Sequence, residues 1–431
     1  MRGTMMQFPL TLCHLVRRAE RLFPGSEIVT RLPDESLHRR SYGDFCRRVR
    51  RLGAALQTLG MQPGDRIATL MWNDYAHVEA YFGVPCAGGV VHTLNIRLHP
   101  DDLIYIVRHA GDRFLIVDDV LLPLYEKIRH GVSFERVIVV PLAGARVTEP
   151  FHDYEALLRS ASPLVLVDPD ENDAAGMCYT SGTTGRPKGV VYTHRSLVLH
   201  SLANSTVDYL GLGNNDTVCP VVPMFHVNAW GLPYTTVMMG AKLVLPGPHL
   251  DPESLLDLYE RERVTVTAGV PSVWHGILQA LQNEPKRWRL AEGLRMVVGG
   301  AAPPESMIRG FDDLGLQVVH GWGMTETSPV GAVNYTKREI GALSRDERCA
   351  LRTKQGVPLP FFEVRAIGAA GEVPWDGASL GELQVRGPWV AEGYYELADQ
   401  ADKWTVDGWF RTGDIVAIDA SGYVRIADRS K

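Results

Sequence analysis

Tyr179-Thr-Ser-Gly-Thr-Thr-Gly-Arg-Pro-Lys-Gly189 follows the run Ala174-Ala-Gly-Met-Cys178 and places four small hydroxyl residues, three glycines and a lysine within eleven positions. A strand that ends in such a loop brings backbone N–H groups, hydroxyls and one cation to a single point, which is the chemistry that holds phosphate oxygens. It is not a Walker A loop. Pro187 precedes Lys188 and Gly189 follows it, so that motif's second glycine and metal-binding hydroxyl are both missing. From composition alone the stretch also reads as a Gly/Thr surface hairpin.

Upstream of the loop, short apolar runs alternate with helical periods. Leu12, Leu15, Val16, Ala19 and Leu22 recur at helical spacing. A second helix is capped by Ser41, buries Phe45, Val49, Leu52, Leu56 and Leu59, and stops at Gly60. Between the two, the residues on either side of Pro33-Asp34-Glu35 predict a hairpin. From Arg66 to about Leu142, strand-like runs alternate with helices, the texture of a parallel sheet covered on both faces.

A loop rich in Pro, Asp and Asn, Pro163 to Asp173, precedes a second round of the same texture. Beyond about Thr353 the pattern changes to short strands with glycine turns, and Asp419-Ala-Ser-Gly422 predicts a tight turn between the last two. The reading is an α/β protein: two doubly wound α/β subdomains over residues 1–170 and 171–352, and a small antiparallel β-barrel over 353–431.

Composition agrees with a soluble, multi-unit chain. The 431 residues are 45% hydrophobic and 22% charged, which fits two or three domains or subdomains. Lys and Arg total 44 against 50 Asp and Glu, a net charge of −6, so no basic face advertises a nucleic-acid partner. The six cysteines (Cys13, Cys46, Cys86, Cys178, Cys219, Cys349) form no CxxC pair or zinc-spaced group and read as reduced thiols of a cytoplasmic protein. No stretch reaches the roughly 18 apolar residues of a membrane span, and the opening segment is an amphipathic helix, not a signal peptide.

The loop YTSGTTGRPKG resembles the phosphate-binding signature of the adenylate-forming enzymes, which include acyl-CoA synthetases, adenylation domains and luciferases. PMFHVNAWG (Pro223 to Gly231), VGGAAPP (Val298 to Pro304), HGWGMTETSP (His320 to Pro329), GELQVRGP (Gly381 to Pro388), GWFRTGDI (Gly408 to Ile415) and ADRSK (Ala427 to Lys431) resemble further signatures of that family, in its order. Within it, the Pro223 to Pro248 region is most similar to medium- and long-chain fatty-acyl-CoA synthetases.

The resemblance implies the large N-terminal domain of the acyl-CoA synthetase fold. It implies a two-step ligase reaction with ATP, Mg2+ and coenzyme A. A fatty acid carboxylate attacks the α-phosphate of ATP to give acyl-adenylate and pyrophosphate, and the CoA thiol then displaces AMP. Bringing an anion onto a polyanion demands charge neutralisation and in-line positioning. A homodimer and peripheral membrane contact are compatible with the same likeness. The family's C-terminal domain would follow Lys431, so a truncated chain with weak turnover, thioester formation above all, is expected.

By the same likeness, Thr180, Ser181, Gly182, Thr183, Thr184, Gly185 and Lys188 would hold the β- and γ-phosphates. Thr325 would lie near the α-phosphate, with Glu326 and Thr180 as magnesium ligands. Gly300, Ala301, Ala302 and the run His320, Gly321, Trp322, Gly323, Met324 would form the adenine slot. The family often has Tyr at Trp322, so its role is either a stacking platform or core packing. Asp414, assisted by Arg429 and the neighbouring Lys431, would take the ribose hydroxyls. His226 would orient the acyl carboxylate, with Val227 and Trp230 at the mouth of an acyl tunnel. Alternatives at this stage are an aryl- or short-chain acid ligase, another acyl-adenylate-forming enzyme, and a non-catalytic nucleotide- or lipid-binding protein.

Overall fold

The structure, a computed structural model, describes residues 1, 3–180, 185–340, 342–397 and 402–429. Two large sheets and one small one organise these residues. The first sheet has seven strands, in spatial order His152–Asp153, Arg136–Val140, Phe114–Asp118, Arg66–Leu70, Val90–Thr93, Ala174–Tyr179 and Gly189–Thr193. Its neighbours are parallel except the last pair, in which Tyr179 lies opposite Gly189.

The second sheet has nine strands: Val357–Pro358, Val330–Val333, Gln317–Gly323, Arg295–Val298, Val266–Gly269, Thr217–Pro220, Lys242–Leu245, Glu27–Arg31 and Leu37–Ser41. Its six central strands, from Gln317–Gly323 to Glu27–Arg31, are parallel, and the strands beyond them on each side are antiparallel. The small unit is a five-stranded antiparallel sheet, Gly371–Glu372, Glu363–Gly368, Gly381–Arg386, Phe410–Ile418 and Val424–Arg429, laid out in that order.

Strand membership does not follow the expected boundary at residue 170. The hairpin Glu27–Ser41 forms as read, but Ile28 pairs with Leu243 and extends the second sheet. Conversely, Ala174–Tyr179 and Gly189–Thr193 close the first sheet beside Val90–Thr93. Local periodicity marks a strand without naming its partner, because pairing is decided by which faces are buried together.

Alternation along the strands sorts side chains into separate cores. Ile67, Val91 and Ile116 of the first sheet join Val218, Leu243 and Val297 of the second in one shared core. Ala68, Leu115 and Val117 face the other way, as do Val244, Met296 and Val298 on the second sheet. Helices Leu12–Leu22, Tyr42–Thr58, Tyr75–Cys86, His194–Asn204 and Leu232–Met239 contribute to the shared core. All twelve residues of Tyr75–Cys86 are buried, as expected of an all-round apolar helix between two sheets. Asp74 caps it, its Oδ1 accepting from the N–H groups of Ala76 at 2.8 Å and His77 at 3.0 Å.

The second sheet positions the chemistry. Its chain order reverses around Thr217–Pro220, whose sequence neighbours lie on opposite sides, and ligands of open α/β sheets bind beyond the strands' carboxyl ends at such points. The segments beginning at Val221, Gly299 and Met324 all leave from those ends. In the small sheet, Asp419 Oδ1 accepts from Ser421 N at 2.9 Å and Tyr423 N at 3.0 Å, and Gly422 takes a φ of 83°, so the predicted turn forms.

Candidate active site

The phosphate-loop candidate is a hairpin whose stem is closed by Thr180 and Lys188. Thr180 N donates to Lys188 O at 2.9 Å, and Lys188 N donates to Thr180 Oγ1 at 3.1 Å. The Tyr179 ring lies against Gly189, where an added Cβ would come within 3.0 Å of it, and its hydroxyl meets His109 Nδ1 at 2.7 Å. Gly185 has a φ of 139°, a conformation open to glycine. Ser181, Gly182, Thr183 and Thr184 lie outside the described residues, as does Lys431.

Lys188 Nζ sits 4.9 Å from the centre of the Tyr394 ring. The Tyr394 hydroxyl donates to Glu326 Oε1 at 2.5 Å, and Glu326 is 5% exposed. Thr325 and Glu326 share a single 3-10 turn whose backbone is fixed from two sides. Tyr192 OH donates to Thr325 O at 2.8 Å, and Ala391 N donates to Glu326 O at 2.8 Å. The lysine of the hairpin and the downstream acid therefore meet through one tyrosine.

Just before this turn, Trp322 Nε1 donates to Asp414 Oδ2 at 3.0 Å. Arg429 Nε donates to the other oxygen, Oδ1, at 3.0 Å. Asp414 is 1% exposed. Trp322 is itself buried and packs edge-on against Phe362, with ring centres 6.3 Å apart, so most of the indole is committed to protein contacts. Gly323 is required by space: a Cβ there would fall 2.0 Å from Pro329 O. His320 is buried with no partner on Nδ1 among the described residues, and burial pushes its pKa down to about 4.

Gly300, Ala301 and Ala302 are exposed on the loop after Arg295–Val298. The Trp230 indole covers the neighbouring Gly299, where a Cβ would lie 2.9 Å from the ring and 3.3 Å from Gly321 O. Trp230 thus packs on the backbone of the expected adenine slot. It ends a turn in which Val227, Asn228, Ala229 and Trp230 have φ values of 45°, 54°, 47° and 57°. Consecutive non-glycine residues in that region are strained, at about 1–2 kcal/mol each. Asn228 is buried in this turn, with Cys178 Sγ 3.5 Å from its Oδ1. Cys178 directly precedes Tyr179, which ties the turn to the phosphate hairpin.

His226 opens onto a cleft of about 210 Å³ that includes Asn95, Arg97, Phe225 and Val270. The His226 side chain is solvent-accessible at this cleft, with protein packed behind it. Partial desolvation by the cleft walls first, and the nearby Arg97 second, hold its pKa below the ordinary value, so at neutral pH it is an uncharged donor and acceptor.

Comparison with known proteins decides the family. A model described as AMP-binding enzyme matches residues 16–395. The chain belongs to the AMP-binding enzyme family. It is similar over its whole length, at 47% identity, to a long-chain-fatty-acid–CoA ligase of Thermus thermophilus, covering 79% of that protein. It is 42% identical to a medium-chain-fatty-acid–CoA ligase of Ectopseudomonas oleovorans, again over all of this chain and 80% of the other. Its fold matches the crystal structure of an anthranilate CoA ligase in complex with anthranoyl-AMP, with a TM-score of 0.86 at 23% identity, covering 100% of this chain and 80% of that one.

As an AMP-binding enzyme, the chain is an adenylate-forming acid–thiol ligase, a chemistry that uses ATP and CoA. Its donor set suits a hard cation shared with phosphate. No group of three or more His, Cys, Asp or Glu side chains is arranged to hold a metal among the described residues, so Glu326 would coordinate together with phosphate oxygens and water. Sequence reasoning missed three side chains of this AMP-binding enzyme. Tyr394 and Tyr192 brace Glu326 and Thr325. Asn73 holds the strand end before His226: its Nδ2 donates to Pro220 O at 2.9 Å and Val222 O at 3.0 Å, and its Oδ1 accepts from Met224 N at 2.7 Å. Only an uncommon polar residue between an apolar strand and a helix cap signalled Asn73.

Proposed function

We propose that the chain activates medium- to long-chain fatty acids as acyl-adenylates and directs them to coenzyme A. The observation that supports this is the unbroken contact path through Lys188, Tyr394 and Glu326 to the turn beside Trp322, Asp414 and Arg429. On this reading that path links the phosphate-binding cation, the metal-type carboxylate and the ribose-type carboxylate.

In this reading the hydroxyls and backbone N–H groups of residues 180–185, with Lys188, bind the β- and γ-phosphates, and Thr325 lies beside the α-phosphate. Glu326 with Thr180 would hold Mg2+, which when bound would neutralise charge on the phosphates. Gly300, Ala301, Ala302 and His320 to Met324 border the adenine, and Asp414 with Arg429 takes the ribose hydroxyls. Neutral His226 donates a hydrogen bond to the entering carboxylate without adding a cation that would hold it back. Val227 and Trp230 border the acyl chain.

The test is calorimetric titration with acyl-sulfamoyl-adenosines of graded acyl length. Affinity that rises with chain length through the medium range supports a fatty acid; a preference for benzoyl or acetyl analogues overturns it. A homodimer, peripheral membrane contact and a cytoplasmic location belong to the same proposal. Exposed Met5, Met6 and Phe8 offer an apolar contact surface, and six buried unpaired cysteines suit a reducing compartment. No helix among the described residues is long and apolar enough to cross a membrane. Light scattering of the purified chain tests the dimer.

A further inference from the structure

The segment from Ala391 to Tyr395 lies across two parts of the site that are far apart in sequence. At one end Ala391 N donates to Glu326 O at 2.8 Å; at the other, Tyr395 N donates to Gly189 O at 2.8 Å, at the base of the phosphate hairpin. Between them the Tyr394 hydroxyl reaches Glu326 Oε1, and the Tyr394 ring lies beneath Lys188 Nζ. Trp404 backs the strap, its ring meeting Tyr394 edge-on at 5.1 Å and its Nε1 donating to Ala391 O at 2.7 Å.

We propose that Tyr394 is a positioning residue that sets the spacing between the phosphate-loop cation and the metal-type carboxylate. This rests on the ligase reading above. The hydroxyl donates to one oxygen of Glu326, which restrains the rotation of the carboxylate. The ring face holds Lys188 by a cation–π contact, an attraction weak enough to yield to a phosphate oxygen. A phenylalanine keeps the ring and loses only the hydroxyl, so the two functions separate.

The experiment titrates ATP into the 431-residue chain by calorimetry across a series of free Mg2+ concentrations, for wild type, Tyr394→Phe, Tyr394→His and Tyr394→Leu. In Tyr394→Phe the Mg2+ concentration that half-saturates the enhancement of ATP binding rises about tenfold, the loss of one hydrogen bond to a charged group, while metal-free ATP affinity is unchanged. Tyr394→His, with a ring N–H donor, recovers part of the metal response. Tyr394→Leu loses the ring as well, and metal-free affinity changes too. A folded Tyr394→Phe protein with the wild-type Mg2+ response overturns the positioning role and leaves the ligase reading intact. A wild-type chain that binds no ATP at any Mg2+ concentration overturns both. If Tyr394→Phe fails to fold, a wild-type Mg2+ response in Tyr394→Leu overturns the role, and a weakened response that Tyr394→His partly restores supports it.

Discussion

Trp322 Nε1 and Asp414 Oδ2 are 3.0 Å apart, and this bond joins the second sheet to the small antiparallel sheet. With Arg429 on the other oxygen, a 1% exposed carboxylate is held from both sides. Trp322→Phe leaves that carboxylate one donor short. ATP affinity is expected to fall about tenfold, in keeping with one bond to a charged acceptor, and the preference for ATP over 2′-deoxy-ATP to shrink. Competition calorimetry with the two nucleotides reads both effects.

Lys188→Met keeps an unbranched chain over the Tyr394 ring and removes the charge. Weaker ATP binding at unchanged melting temperature is the expected result, since the lysine lies over a ring face and joins no salt bridge among the described residues. Wild-type ATP affinity in the folded variant removes Lys188 from the phosphate site.

Asn73 is 4% exposed and makes three hydrogen bonds to the segment that leads to His226. Asn73→Ala strands two buried carbonyls and one buried N–H. It is expected to lower unfolding free energy by about 2–4 kcal/mol, read from urea denaturation. The Asn73→Asp variant keeps an acceptor for Met224 N but no donor and is expected to fall in stability as well.

Burial holds His38, His77, His194 and His320 at a pKa of about 4, and His200 at about 3, against an ordinary 6.5. These pKa values are depressed on folding, so below pH 6.5 the unfolded chain takes up more protons than the folded one. Their contribution is complete above that pH and is lost as the medium falls toward pH 4. His200→Gln, whose Oε1 can still accept from Val330 N, is expected to flatten the slope of stability between pH 6.5 and 4.5. The change approaches about 1.4 kcal/mol per pH unit at most, the value for one fully titrating group.

The α/β texture, the hairpin at Pro33 to Glu35 and the Asp419 to Gly422 turn were legible in the sequence because each is a local pattern. The sheet assignment of Glu27–Arg31 and Ala174–Tyr179 was not, because their partners, Leu243 and Val91 among them, are distant in the chain. Motif order brought Lys188, Thr325, Glu326 and Asp414 into view. The left-handed turn from Val227 to Trp230 carried little signal, since only Asn228 among its residues readily adopts positive φ. Trp322 was read as a possible stacking face. Its second task, donating to Asp414, depends on a contact across 92 positions. Tyr394 was silent because a tyrosine beside another tyrosine reads as packing.

The most direct test of a single acid-activating cleft is calorimetric binding of dodecanoyl-sulfamoyl-adenosine to wild type and to Asp414→Asn. One site per chain, weakened at least about tenfold by the substitution, is the expected result. No binding, or equal affinity for the two proteins, contradicts it.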